Sequence, residues 1–358
     1  MSEIMDRIRE LTIAVGPEVA ETRASSRHLR GARLACVASV GLLMLCLLVL
    51  LSLAVGSKNL SATEVIHGLF AHDNSRESLI VWQLRFPRTT LALLVGASLG
   101  VAGVLMQALT RNPLADPGIL GVNSGASLSV VLALTFFGVS SSSGYIWFAL
   151  IGSALASCFV YVLSLQRSRI TEHSRLVLAG TALTATLGAC TGIITMLNTD
   201  TFNSYRFWVI GSLADRGDQI PGQILPLVLL GLVMAFITGP ALNALALGDE
   251  QAKALGTKMG WVRGLTLLAI TLLCGSATAA AGPIGFVGLV VPHVLRLLIG
   301  INQRTLLLCS VIFGPLLVLG ADILGRIVAR PGELEVGIVT AFIGAPVLLG
   351  LLLRKRVL

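Results

Sequence analysis

Apolar runs of about twenty residues recur along almost the whole chain, each closed by charge or by a turn of proline and glycine. One stretch is representative. Arg85 and Arg88 flank a proline in WQLRFPR, and a charge-free stretch of small and aliphatic residues follows to Thr110. Arg111 and the turns Asn112-Pro113 and Asp116-Pro117 end it before a second apolar run begins. A helix needs about 20 apolar residues to cross a bilayer, so this pattern predicts a hairpin of two spans. The same reading predicts a first span at 34–55 and others at 89–110, 117–138, 145–165, 177–197, 224–247, 262–281, 283–300, 305–323 and 335–353. The expected fold is all-α: a polytopic membrane protein of about ten transmembrane helices. Residues 1–33 form a polar N-terminal tail, and 34–358 the transmembrane domain.

Composition agrees. The chain is 55% hydrophobic and 12% charged, about half the charged fraction of a soluble domain. A membrane barrel would alternate polar and apolar residues over about 10 positions, and these runs do not alternate. The first run is also longer than a signal-peptide core of about 7–15 residues. The net charge of +8 follows the loops rather than pointing to nucleic acid. With a cytoplasmic N-terminus, about ten spans put Arg111, Arg167, Arg169, Arg175, Lys253, Lys258, Arg263 and Arg304 inside, with Arg354-Lys355-Arg356 at a cytoplasmic C-terminus. That inner excess is the usual sign of orientation.

Chemistry is largely absent. The chain has no phosphate-cradling GxxxxGK[ST], no HExxH and no GxSxG. Its six cysteines lie in apolar runs without metal-type spacing, as expected for small buried thiols. His293, after Pro292, is either a proton relay or a helix-end histidine bonded to a neighbouring carbonyl. Carboxylates at membrane depth are nearly confined to Asp116, at a helix start, and Asp322, near a helix end. That scarcity weighs against an ion-coupled secondary transporter, which remains the alternative from a different class.

Small residues and prolines mark special positions. Gly96, Gly100 and Gly103 share a helix face, and Gly152, Ser153, Ala156 and Ser157 do something similar. Such faces either let helices pack closely or line a passage. Asp116-Pro117 suits a capped helix start. Gly282-Pro283 predicts a second start, and Pro292 should kink or break its span.

Two features suggest work. The first is a short helix opened by Asp249 and Glu250 and closed by Gly256, with Ala252 and Leu255 on one face. It lies on the membrane or fits a groove on a cytosolic partner. The second is the set of outer arginines: Arg85 and Arg88 before the second span, and Arg326 and Arg330 before the tenth. They are either interfacial anchors or a docking surface for an acidic partner.

Several separated stretches resemble the permease subunits of type II ABC importers for ferric siderophores, haem and vitamin B12. They are RFPRTTLALLVGASLGVAGVLMQALTRNPLADPGILGVNSGA, LALGDEQAKALG, GPIGFVGLVVPHVLR, ADILGRIVA and GIVTAFIGAPVLLGLLL, in that order. The resemblance implies a permease with about ten spans in the bacterial cytoplasmic (inner) membrane. It would move a ferric siderophore inward by alternating access, with haem or vitamin B12 as alternatives.

The resemblance also implies partners: a second permease subunit (the same chain or a sister), two cytosolic ATPases, and a periplasmic or lipid-anchored siderophore-binding protein. The chain would contact lipid and no nucleic acid. It would hold no cofactor and would not be an enzyme. ATP and Mg would belong to the ATPases, and iron would enter only as cargo. Gly248, Asp249, Glu250, Gln251, Ala252, Leu255 and Gly256 would seat in the ATPase, within a coupling segment near 248–263. Arg85, Arg88, Arg326 and Arg330 would meet the binding protein. Thr181, Thr184 and Thr191 would line the passage. In the stretch PGELEVG, the resemblance leads us to expect proline where this chain has Glu335, which adds an acid beside the expected arginine dock.

Overall fold

The computed structural model describes residues 31–56, 61–70, 75–139, 141–165, 172–254 and 256–353. The N-terminal tail before residue 31, Leu255 and the basic C-terminal triplet lie outside them. Seven helices are long and apolar enough to cross a membrane, and three more apolar ones are shorter. The long ones are α1 (Gly31–Ala54), α3 (Arg76–Thr110), α5 (Ser142–Ser164), α6 (Glu172–Leu197), α8 (Ile220–Leu245), α10 (Met259–Ala281) and α12 (Gln303–Val328). The shorter ones are α4 (Val122–Phe136), α11 (Val287–Ile299) and α13 (Val336–Leu353). Three connecting helices complete the set: α2 (Ala62–Phe70), α7 (Thr199–Val209) and α9 (Asp249–Ala254).

Helix α3 is the axis of the bundle. It packs against α8, α10, α11 and α12, and Val95, Val101, Val104, Leu105 and Met106 are fully buried along it. It begins well before the expected span. A π-helical stretch at Ile80–Arg85 precedes Pro87, whose ring would clash with the carbonyl four residues back in a regular helix. The small residues of α3 serve packing. A Cβ on Gly103 would overlap the backbone of Gly288 in α11, and one on Gly96 would collide with the backbone of Pro315 in α12. Gly152 likewise meets Gly125 of α4. Lipid gives helices no hydrophobic drive to associate, so close approach of this kind holds them together.

Two predicted spans are broken. The run expected as a helix from residue 117 opens instead as a 3-10 turn, Pro117–Leu120, capped by Asp116, whose Oδ1 accepts from the Gly118 amide at 2.8 Å. Gly121 then turns left-handed (φ 74°) and α4 starts. Gly282-Pro283 does not start a helix either. The chain stays irregular from Gly282 to Phe286, which is itself left-handed (φ 66°), before α11 begins at Val287. The 13 residues of α11 reach only about 20 Å, short of the roughly 30 Å of a bilayer's core. The two breaks meet: a Cβ on Gly288 would touch the Pro117 ring. Irregular backbone at this depth survives because protein surrounds it; Gln107 of α3 donates to the Gly288 carbonyl at 3.1 Å. Pro292, by contrast, sits inside α11 without ending it.

The cysteines correct another expectation. Cys274 and Cys309 are buried, but Cys36, Cys46, Cys158 and Cys190 are exposed on α1, α5 and α6. Those helices lie at the periphery of this chain.

Candidate functional site

Helix α9 projects from the end of the bundle where α3 finishes. Gly248 (φ 120°) precedes it. It closes in the pattern of two crossed bonds favoured at glycine: the Gly256 amide (φ 80°) donates to Lys253 at 2.9 Å, and the Thr257 amide to Ala252 at 3.0 Å. Ala252 is buried against the bundle, while Glu250, Gln251, Lys253 and Ala254 are exposed. Asp249 faces the bundle ends. One oxygen accepts from Arg111, the residue capping α3, and the other from Arg263 near the start of α10 at 2.9 Å. Burial would raise its pKa, but the charges of Arg263 and then Arg111 outweigh that and hold the carboxyl below the usual aspartate range. The sequence singles out Asp249 but not this pairing. Its signal would have been opposite charges, Arg111 against Asp249, at the ends of α3 and α8, with Arg263 near the start of α10.

The opposite end of α3 carries a second charge cluster. Arg88 donates to Asp322 of α12 at 2.8 Å and to Glu333 at 2.6 Å. Arg326 also pairs with Asp322, one helical turn away. It further donates to the carbonyls of Ser52 and Val55 in and just after α1, both at 2.9 Å. Arg85 donates to the Leu53 carbonyl. The expectation of four arginines presented outward therefore needs restating. Arg85 and Arg326 are buried, Arg88 is nearly so, and Arg330 alone of the four is exposed. The reason is physical: a buried guanidinium needs its donors satisfied, and this chain supplies carbonyls from the end of α1, a carboxylate from α12 and another from the turn before α13. Arg85, Arg88, Arg326 and Glu333, with Arg76 and Arg216, line an open cavity of about 670 Å³ at this end.

Helix α6 is the least covered of the spans outside α1. Thr181, Thr184 and Gly188 lie on one face at spacings of three and four, and among the described residues nothing would lie within 4 Å of a Cβ on Gly188. Thr191 differs: it is buried, its hydroxyl donating to the Leu187 carbonyl at 2.8 Å. His293 is buried in α11 with no partner for Nε2 among the described residues, so the neighbouring-carbonyl bond expected of it is not formed at that atom. Among the described residues no three His, Cys, Asp or Glu side chains come together as a metal site.

Apolar helices in roughly this number, interrupted at membrane depth and packed around one central rod, form a multi-pass membrane permease. The chain belongs to the FecCD transport family, whose family model matches residues 43–354. It is 45% identical over 314 residues to the ferric enterobactin transport system permease protein FepD of Escherichia coli (strain K12), covering 88% of this chain and 94% of that one. It is 42% identical to the Fe(3+)-citrate import system permease protein YfmD of Bacillus subtilis (strain 168), covering 86% and 91%. It is 37% identical to the hemin transport system permease protein HmuU of Yersinia pestis, covering 87% and 94%. Among solved structures it matches an inward-facing metal-chelate type ABC transporter at 30% identity, with a TM-score of 0.78 over 90% of this chain and 99% of that one. The chain is thus the permease subunit of an ABC transporter, an inner-membrane protein that works with ATPase and substrate-binding partners and is not itself an enzyme.

Proposed function

We propose that this permease carries a ferric siderophore into the cytoplasm by alternating access. The observation that carries this reading is the near-full-length likeness to a ferric enterobactin permease. The test is uptake of labelled iron as several ferric siderophores, with the gene deleted and then restored. Loss confined to one siderophore class and recovered on restoration is the expected result. Haem is the second reading, favoured by the likeness to the hemin permease. Retained siderophore uptake with lost haem uptake would establish it instead.

The assembly proposed is two permease subunits, two cytosolic ATPases that bind ATP and Mg, and a periplasmic or lipid-anchored binding protein. Both termini of this chain are cytoplasmic. A second permease subunit covers the open face of α6, and Thr181 and Thr184 face the passage between the two. Gly248–Gly256 seats in an ATPase through the exposed side chains of α9. At the other end Arg330 meets an acid of the binding protein directly. Arg88 is reached when such an acid displaces Glu333, which is itself partly exposed. Arg85 and Arg326 hold that rim from beneath. ATP binding pushes on α9, the bundles close one gate and open the other, and this chain forms no covalent bond.

A further inference from the structure

We infer that Asp249, gripped by Arg111 and Arg263, is a positioning residue that ties the ATPase-facing helix α9 to two spanning helices at once, so that a push on α9 moves both. The inference rests on the coupling reading above and adds how the force leaves α9.

Helix α9 needs such a tie. Its six residues are too few for an independently stable helix, for which about 12–15 are marginal. Ala252 is its one fully buried side chain among the described residues. Left-handed glycines stand at both ends, Gly248 at φ 120° and Gly256 at φ 80°. Glycine hinges would absorb a displacement instead of passing it on. A carboxylate with one oxygen on each of two arginines bypasses both hinges. Its partners are well chosen. Arg111 caps the end of α3 and Arg263 lies near the start of α10, and those two helices pack directly against each other in the core.

The backbone of Arg111 supports the same conclusion. It is left-handed (φ 50°), where glycine or asparagine is the ordinary helix-ending residue. An arginine kept there has a side chain with a task. From Arg111, α3 runs without interruption to Arg88, which holds Asp322 and Glu333 at the far end. The rod between these arginines spans about 35 Å. One continuous helix therefore joins the charge cluster beside the ATPase-facing segment to the cluster at the opposite rim.

The test uses the complete transporter in proteoliposomes, with its ATPases and binding protein, and measures substrate carried per ATP hydrolysed. A Gln251→Cys cross-link to the ATPase reports whether α9 is seated. With the cross-link formed, Arg111→Gln, Arg263→Gln and Asp249→Asn should each lower transport per ATP about fivefold, the upper scale for losing an exposed charge pair. The double arginine variant should be little worse than Asp249→Asn, because all three residues act in one unit. Arg263→Lys, which restores the charge, should recover part of the loss. A ratio unchanged within about twofold, with the cross-link intact, overturns the tie alone. So does a fall in hydrolysis and transport in proportion to the amount of assembled complex, which is what a purely structural role would give. No cross-link from an otherwise unaltered chain overturns the coupling reading, and the tie with it.

Discussion

The two charge clusters at the ends of α3 use the same residue types and are built for different ends. At the rim, Asp322 and Arg326 are each 1% exposed and Arg88 14%. At the α9 end, Asp249 is 40% exposed, Arg111 34% and Arg263 15%. Burying charge is expensive, so a buried pair persists only with its other lone pairs and donors satisfied. The rim meets most of that demand with the carbonyls of Ser52 and Val55, leaving only Arg326 Nε of that guanidinium without a partner among the described residues. Such a cluster is rigid, and losing one member leaves charge stranded. The α9 cluster is wet. Water reaches Asp249 and Arg111, so their bond is worth little at rest and can re-form as the helices shift, although Arg263 is as covered as Arg88. Fixed geometry suits the docking role proposed above for the rim; an exchangeable clasp suits the coupling role proposed for α9.

The sharpest way to break the comparison is to neutralise the acid at each end. Asp322→Asn leaves Arg88 and Arg326 buried without their shared carboxylate. It should cost about 3–5 kcal/mol of stability, the usual penalty for breaking one side of a buried pair. Thermal unfolding in detergent measures it. A loss under about 1 kcal/mol, the range of an exposed pair, would show that the rim is as wet as the α9 end. Gly103→Leu comes next. Its side chain would be driven into the backbone of Gly288, and overpacking costs about 1–3 kcal/mol. The same unfolding assay reads it, and an unchanged midpoint would mean that α3 and α11 are not in contact.

Much of this was legible in the sequence, for reasons that separate the two ends. Hydropathy shows where helices cross, because lipid imposes length, and the expected spans match the ten apolar helices closely. Asp249 and Gly256 were visible because charge and glycine interrupt an otherwise apolar chain. The breaks at Gly121 and Phe286 were not, since their flanking runs are as apolar as any span. The inward turn of Arg85 and Arg326 was also hidden. The Asp322–Arg326 pair is announced by its spacing of four, but the partners that turn both arginines toward α1 are carbonyls in and just after that helix, and every residue carries a carbonyl, so no side-chain pattern announces those bonds. Thr184 and Thr191 are alike in sequence and lie seven residues apart on nearly the same face of α6; they differ in what packs against each level of the helix, which no local pattern shows.

Salt should separate the clusters without any substitution. Raising ionic strength from roughly 0.05 to 0.5 M shortens the Debye length severalfold. Hydrogen exchange of the α9 amides should quicken, while that of the backbone around Arg326 should stay put. Equal responses at both ends would contradict the contrast in burial.

The smallest effect is expected from Asp249→Asn on stability. The carboxylate is 40% exposed, so its loss should cost no more than about 0.2–1 kcal/mol, even though transport per ATP falls. Acid offers an independent reading of the same group. Arg263 and Arg111 hold its pKa below the ordinary value of 3.8. The folded state thus binds fewer protons than the unfolded state as pH falls through that range. The contribution of Asp249 is complete above pH 3.8 and fades only as pH drops through the lowered value. The difference in stability between the native chain and Asp249→Asn should therefore be flat from neutral pH down to that point and shrink only below it. A difference that vanished already near pH 6 would mean that a histidine, not this carboxylate, controls the clasp.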